Sequence, residues 1–295
     1  TAIYENVTWG INLANGIAGM GGAGGEGGEG GGGAGGDEGS TGAANGGDPG
    51  EGGFGGFAAG DGSNGNGLYG DGGSGFGGAI FVRETGTLTI TGNAHFQNNV
   101  ARGGSSNNLG SAGDGAGAAI FMMKGSTVTL APGAGNVIVF DDEISDDSAA
   151  TYEGAPFAEG AGADIIIHGD GGRVVFNAEN TYSGDTILRG ATLDAVLGEG
   201  VNDASRLRFD GGGSIGSQLS LGTTGTLLLN EDLTGRRVGN SNSQVKWSGS
   251  GGFAAGDVDG FTVNLGEVLP GVGQNLEWGA NGFFEGATTS TLTFG

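Results

Sequence analysis

Gly77-Gly78-Ala79-Ile80-Phe81 is followed, eight residues after Ile80, by Leu88 within Thr87-Leu88-Thr89-Ile90. Forty residues on, Gly117-Ala118-Ala119-Ile120-Phe121 is followed, eight residues after Ile120, by Val128 within Thr127-Val128-Thr129-Leu130. A small-residue corner, a short apolar run and an alternating strand thus recur as one unit. A weaker third copy, Gly160-Ala161-Gly162-Ala163-Asp164-Ile165, follows at a spacing of 45, which sets Ile165 beside Ile120. Trp247 and Phe253 recur as Trp278 and Phe283, spaced 31 and 30. Repeats of this length with strand content read as a solenoid or a propeller. Spacing that drifts between 30 and 45 favours the solenoid, whose outer loops vary freely while its strands keep register.

Outward from these repeats the texture is the same. Val137-Ile138-Val139-Phe140, Ile165-Ile166-Ile167, Val174-Val175-Phe176, Leu207-Arg208-Phe209 and Leu227-Leu228-Leu229 are strand-length and rich in β-branched or aromatic residues. Gly, Asn, Asp, Ser and Thr separate them, as turns require. No segment holds apolar residues at helical spacing over three turns. The expected fold is all-β: a right-handed parallel β-helix with an N-terminal glycine-rich region. Such a helix stacks a coil every ~4.8 Å, and 20–25 residues per coil would give ten or so coils and about 50 Å.

Glycine divides the chain. Of 75 glycines among 295 residues, 33 fall within the 63 residues 16–78. The boundaries read as an N-terminal strand over 1–15, a glycine-rich region of loops or polyglycine-type strands over 16–78, and the parallel β-helix over 79–295. With 4 prolines and no long G-x-y period, collagen is excluded. A formal charge of −23, from 33 acidic and 10 basic residues, excludes a nucleic-acid partner. No apolar run approaches the ~20 residues of a transmembrane helix, and the absence of cysteine excludes disulfides and thiolate metal sites.

Three groups of residues carry a resemblance. Gly77-Gly78-Ala79-Ile80 with Phe96-Gln97-Asn98-Asn99 resembles the paired GGAI and FxxN motifs of polymorphic outer-membrane-protein adhesins. Asn180-Thr181-Tyr182-Ser183-Gly184-Asp185-Thr186 with Gly190-Ala191-Thr192-Leu193 resembles the autotransporter-associated β-strand repeat. Trp247-Ser248-Gly249-Ser250-Gly251-Gly252-Phe253, Val263-Asn264-Leu265-Gly266 and Leu276-Glu277-Trp278-Gly279 are similar to rungs of autotransporter passengers. The resemblance implies a right-handed β-helix exported through a Gram-negative outer membrane to the cell surface. It also implies a signal peptide and a β-barrel translocator, neither of which is read in this sequence.

For chemistry, the Asp-rich turn Asp141, Asp142, Glu143, Asp146 and Asp147 is the calcium candidate, because Ca²⁺ needs several clustered oxygen ligands. Its spacing fits neither an EF-hand nor an Asp-per-coil nonapeptide, and a solvated acidic turn is the competing reading. The same carboxylates, with Tyr152 and Phe157 following, could act on a glycan as an acid/base pair. His95 and His168 read as strand-end histidines rather than as part of a nucleophilic triad. Asn98, Asn99, Asn177 and Asn180 are placed to stack as amide ladders between coils. No cofactor is expected beyond Ca²⁺.

The function expected is that of a non-enzymatic, extracellular adhesive or structural surface element. Its alternatives are a subunit of a self-assembling filament or surface layer, and a glycan-binding or glycan-cleaving β-helix. Partners would be further copies of the chain, or a host or cell-surface receptor or glycan. Assembly would use Ile3, Tyr4, Val7 and Trp9, which nearly alternate over residues 1–14, and Leu292 and Phe294 at an uncapped strand. The first stretch reads either as a strand donated to a neighbour or as the first coil of its own subunit.

Overall fold

The computed structural model of the chain describes residues 2–9, 13–14, 69–70, 75–103, 107–108, 114–148, 162–169, 171–212, 224–256, 260–266, 276–284 and 290–295. Most of the glycine-rich region, and with it the polyglycine-strand expectation, lies outside them, as do Tyr152 and Phe157. The described residues contain strands and turns and no helix. Thirteen strands join in one sheet whose pairings are all parallel.

Two ladders build this sheet, and the chain alternates between them. The first runs through Thr87–Phe96, Thr127–Ala131, Asp164–Ile167, Thr186–Leu188, Leu207–Phe209 and Val245–Trp247. The second starts on the far half of Thr87–Phe96. It continues through Val137–Phe140, Arg173–Phe176, Thr192–Ala195, Gly225–Leu229, Gly251–Ala255 and Leu292–Phe294. Ala2–Trp9 pairs along both halves of Thr87–Phe96 and forms the first rung for both ladders. A third, shorter ladder joins Ile80–Val82, Ile120–Met122 and Ile144–Asp146. Among the described residues the longer ladder therefore has eight rungs, about 34 Å of stack.

Alternation in the sequence becomes columns in the structure. Thr87–Phe96 buries every second residue over most of its length, and the register carries each buried position to the next rung. One column reads Leu88, Val128, Ile165, Thr186, Leu207, Val245; another reads Ile90, Leu130, Ile167, Leu188, Phe209, Trp247. In the second ladder Phe96, Phe140 and Phe176 succeed one another, with Phe96 and Phe140 stacked at 4.4 Å. Side chains from all three ladders meet in one contiguous buried cluster running from Ile80 to Phe284. Each fully buried Phe, Ile or Leu contributes roughly 1.5–3 kcal/mol, so every rung strengthens its neighbours.

A glycine turns the corner between the two ladders. Gly92 sits inside Thr87–Phe96 at φ +69°, and opposite it the register of Ala2–Trp9 slips between Glu5 and Val7. Gly190, between Leu188 and Thr192, takes φ +126° at the equivalent corner two rungs beyond Ala131–Val137. A Cβ is strained at these angles, so glycine sets where the sheet bends.

Two repeat assignments change. Ile165 lies beside Val128, not Ile120; the residue beside Ile120 on the far side is Ile144. Trp278 does not repeat Trp247, whose bridge partner is Phe283. The Ile165 assignment changes because an apolar strand on one face resembles one on another, and that of Trp278 because it stands in an exposed turn that repeats only the tryptophan and glycine of a strand end.

Candidate functional site

The acidic stretch leaves the second ladder at Phe140 and enters the third at Ile144, so Asp141, Asp142 and Glu143 lie between the two ladders, Asp146 ends the third-ladder strand and Asp147 follows it. Asp141 accepts from His95 Nε2 at 2.6 Å and from Asn177 Nδ2 at 2.7 Å, bridging the rungs before and after its own. The hydrogen bond from Asn177, with help from His95, holds its carboxyl below the usual carboxylate range. Asp142 Oδ2 accepts from the Asn99 backbone N–H at 2.8 Å and from Asn99 Nδ2 at 2.6 Å. Glu143 accepts from the Gly117 N–H at 3.0 Å and from Thr181 Oγ at 2.7 Å.

Deeper in, Asp146 is fully buried. Its Oδ1 accepts from the Ser148 N–H at 3.1 Å and from the Ser148 hydroxyl. Its Oδ2 accepts from the N–H groups of Ala163 at 3.1 Å and Ser183 at 2.8 Å. Asp147, also buried, accepts from the Lys124 N–H at 2.8 Å through Oδ2, while its Oδ1 is buried without a partner. The five side chains thus point to five different sets of donors. Among the described residues no three of Asp, Glu or His converge on one point. The arrangement does the work of a clasp: carboxylates satisfy backbone donors that the turns leave outside the ladders.

Burial pushes the Asp147 carboxyl above the ordinary range. A group raised in the folded state favours folding while protonated and loses that contribution as pH rises through its folded value. Asp147→Asn keeps an acceptor for the Lys124 N–H and removes the buried charge. Its melting temperature is expected above wild type at pH 7–8, with the gap closing below about pH 4. Thermal melts of both proteins across pH check this; a variant less stable than wild type at pH 8 would contradict it.

The hydrogen bonds of three of the asparagines run to carboxylates and to the backbone. Asn99 and Asn177 bond carboxylates, and Asn180 spans two rungs by accepting from the Ile144 N–H at 2.7 Å and donating to the Gly200 carbonyl at 2.8 Å. Asn98 is exposed in a left-handed turn at φ +59°. His168 ends its strand as expected, with Nδ1 buried and unpartnered.

Two buried polar features were not legible in the sequence. Tyr182, Thr186 and Ser205 form a hydroxyl chain ending on the Gly184 carbonyl, and burial raises the Tyr182 phenol. Arg236, only 4% exposed, donates to the carbonyls of Ser205, Val201 and Asn202 at 2.8–3.1 Å. Burial lowers its guanidinium. Arg236 thereby closes the loop from Val201 to Ser205.

At the far end of the stack the character changes. Leu276, Trp278 and Phe294 are the exposed large apolar residues among those described. Leu276 and Phe294 line an open pocket of about 330 Å³ together with Trp247, Phe253, Leu265, Phe283 and Leu292, and Trp278 packs edge-on against Phe283. An aromatic stack leads to this end: Phe209 on Trp247 at 4.9 Å, then Phe284, then Trp278 on Phe284 at 3.9 Å. The assembly candidates fall at the two ends. Ile3, Tyr4, Val7 and Trp9 pair with Thr89, Ile90, Ala94 and Phe96 of the same chain, and Leu292 and Phe294 pair with Gly251 and Phe253. Residues 2–9 therefore form the first rung of their own subunit. Among the described residues no helix is long and apolar enough to cross a membrane. No protein-family model, curated protein or solved structure matches the chain.

Proposed function

We propose that the chain is a right-handed parallel β-helix of the autotransporter-passenger type, exported to the cell surface, where it serves as a non-enzymatic structural or adhesive rod. The observation that carries this reading is how the acidic turn is used. Asp141, Asp142, Glu143 and Asp146 are occupied by donors from neighbouring rungs, so the groups best suited to catalysis are engaged in holding the stack. Columns of equivalent residues over eight rungs support a rod of fixed width, and the net charge of −23 keeps its flanks soluble.

Negative-stain electron microscopy of the purified chain, with release of reducing ends from a panel of polysaccharides, tests the proposal. Rods of uniform width and no sugar release are expected. Turnover that disappears in Asp141→Asn or Glu143→Gln would replace this reading with a glycan-cleaving one.

A further inference from the structure

Positive charge gathers on one outward face late in the first ladder. Residues 233–256 hold three of the 10 basic residues, Arg236, Arg237 and Lys246, and none of the 33 acidic ones. The register sets Lys246 directly beside Arg208, and the bridge from Val238 to Val245 sets Arg237 one rung beyond Gln244, which itself follows Arg206. Alternation turns Arg206, Arg208, Lys246 and Arg237 outward, because Leu207, Phe209, Val245, Trp247 and Val238 beside them are buried. Arg206 is fixed by Asp185 at 2.6 Å and by the Asn240 carbonyl, and Arg208 by Ser248 at 3.1 Å and Asp210 at 3.3 Å. Asp164 and Asp185 precede Arg206 in its own column, so these acids lie toward the earlier rungs. On the other side Lys246 and Arg237 have no side-chain partner among the described residues. Arg237 and the turn Asn240-Ser241-Asn242-Ser243 are exposed.

We propose that this face binds an anionic polysaccharide laid along the stack. The inference rests on the adhesive reading above and names the ligand class. Cations on three successive rungs span about 10 Å, the reach of an extended polymer with repeated anionic groups rather than of one small anion. Arginines already fixed by their neighbours present paired N–H donors to an oxyanion, and Lys246 adds a mobile point charge. Around the cations stand the amides and hydroxyls of Asn240, Ser241, Asn242, Ser243 and Gln244, neutral donors and acceptors that match sugar hydroxyls. None of the outward side chains named here is aromatic, so the face lacks the stacking platform that single-stranded nucleic acid uses. The charge of −23 on the whole chain repels any polyanion, so attraction is confined to this face and depends on its few cations.

Isothermal titration calorimetry of the full chain with heparin, at about 50 mM NaCl, tests the face, with neutral dextran and oligo(dA) as comparisons. Saturable heparin binding is expected, lost at about 500 mM NaCl as the charges are screened. Arg237→Gln and Lys246→Gln should each weaken it about fivefold, and the two together about 25-fold. Lys246→Arg keeps the charge and should bind as wild type does. Arg102→Gln, an exposed cation far from this face, is the control and should change nothing. All the substituted side chains point outward, and a β circular dichroism spectrum kept in each variant separates lost binding from lost folding. A chain with an intact β spectrum that gives no heat with heparin overturns the inference and leaves the rod reading standing. Equal binding by wild type and the double variant overturns it as well, as does dextran or oligo(dA) bound as tightly as heparin. Heparin binding that the double variant loses, in a chain that forms no rods under the electron microscope, upholds this face and overturns the rod.

Discussion

Ile120→Asp is expected to melt the N-terminal rungs of the stack at ambient temperature. Ile120 is fully buried and lies between Ile80 and Ile144 in the third ladder, facing the main core cluster. A carboxylate at this position would lie within the apolar core cluster, out of contact with solvent. An uncompensated buried charge costs several kcal/mol even after it shifts its own protonation. Lost packing of the isoleucine adds about 2–5 kcal/mol. The sum rivals the whole stability of a typical domain, about 5–15 kcal/mol. Because each rung touches only its neighbours, damage should concentrate around Ile80, Ile120 and Ile144 and fade toward Val245. Hydrogen exchange by mass spectrometry resolves this gradient. Thr129→Asp, on the outward side of the adjoining strand, is the control and should cost under about 1 kcal/mol. An unchanged melting curve and unchanged protection in Ile120→Asp would refute the buried position on which the fold rests.

Legibility followed from how local each signal was. The pairs Ile80 with Ile120 and Leu88 with Val128, read from a forty-residue repeat, are neighbours in the structure in that same register. The repeat worked there because both its halves, corner and strand, recur at one spacing. Where only an apolar strand recurred, as at Ile165, the sequence had no means of saying which face it joined. Gly77 and Gly117 were legible as corners, and both adopt positive φ, where an added Cβ would press on the carbonyl oxygen of Ile80 or Ile120. The clasp was half legible. Asp141 to Asp147 stood out as carboxylates, but their partners Asn99, Gly117, Lys124, Ala163 and Ser183 are 17 to 43 residues away in sequence. Long-range backbone donors leave no side-chain signature, so nothing in the sequence separates a clasp from a solvated turn or a cation site.

Asp146 carries the second large effect, and it separates the clasp from a merely acidic surface. Its two oxygens accept from three backbone N–H groups, those of Ser148, just after the third-ladder strand, and of Ala163 and Ser183, just before strands of the first ladder. Asp146→Ala leaves these donors without their acceptor, that of Ala163 in a buried site and those of Ser148 and Ser183 in partly buried ones. Each orphaned buried donor costs about 1–3 kcal/mol, so a loss of roughly 3–5 kcal/mol is expected. Asp146→Asn should recover only part of it. Both Oδ atoms face donors, and an amide turns one of them into a further donor pointing at an N–H. By contrast Asp141, about two-fifths exposed, should cost little on truncation to alanine. Its contribution also has a pH signature. A carboxyl held below its ordinary value stabilises the fold above the unfolded pKa near 4 and loses that effect as pH falls through the folded value. The stability gap between wild type and Asp141→Ala should therefore narrow on acidification below about pH 4. Urea unfolding of the three variants at pH 7 decides the matter. The clasp requires Asp146→Ala to be least stable, Asp146→Asn intermediate and Asp141→Ala close to wild type. Equal midpoints for Asp146→Ala and Asp141→Ala would mean that the carboxylates decorate the rungs without holding them.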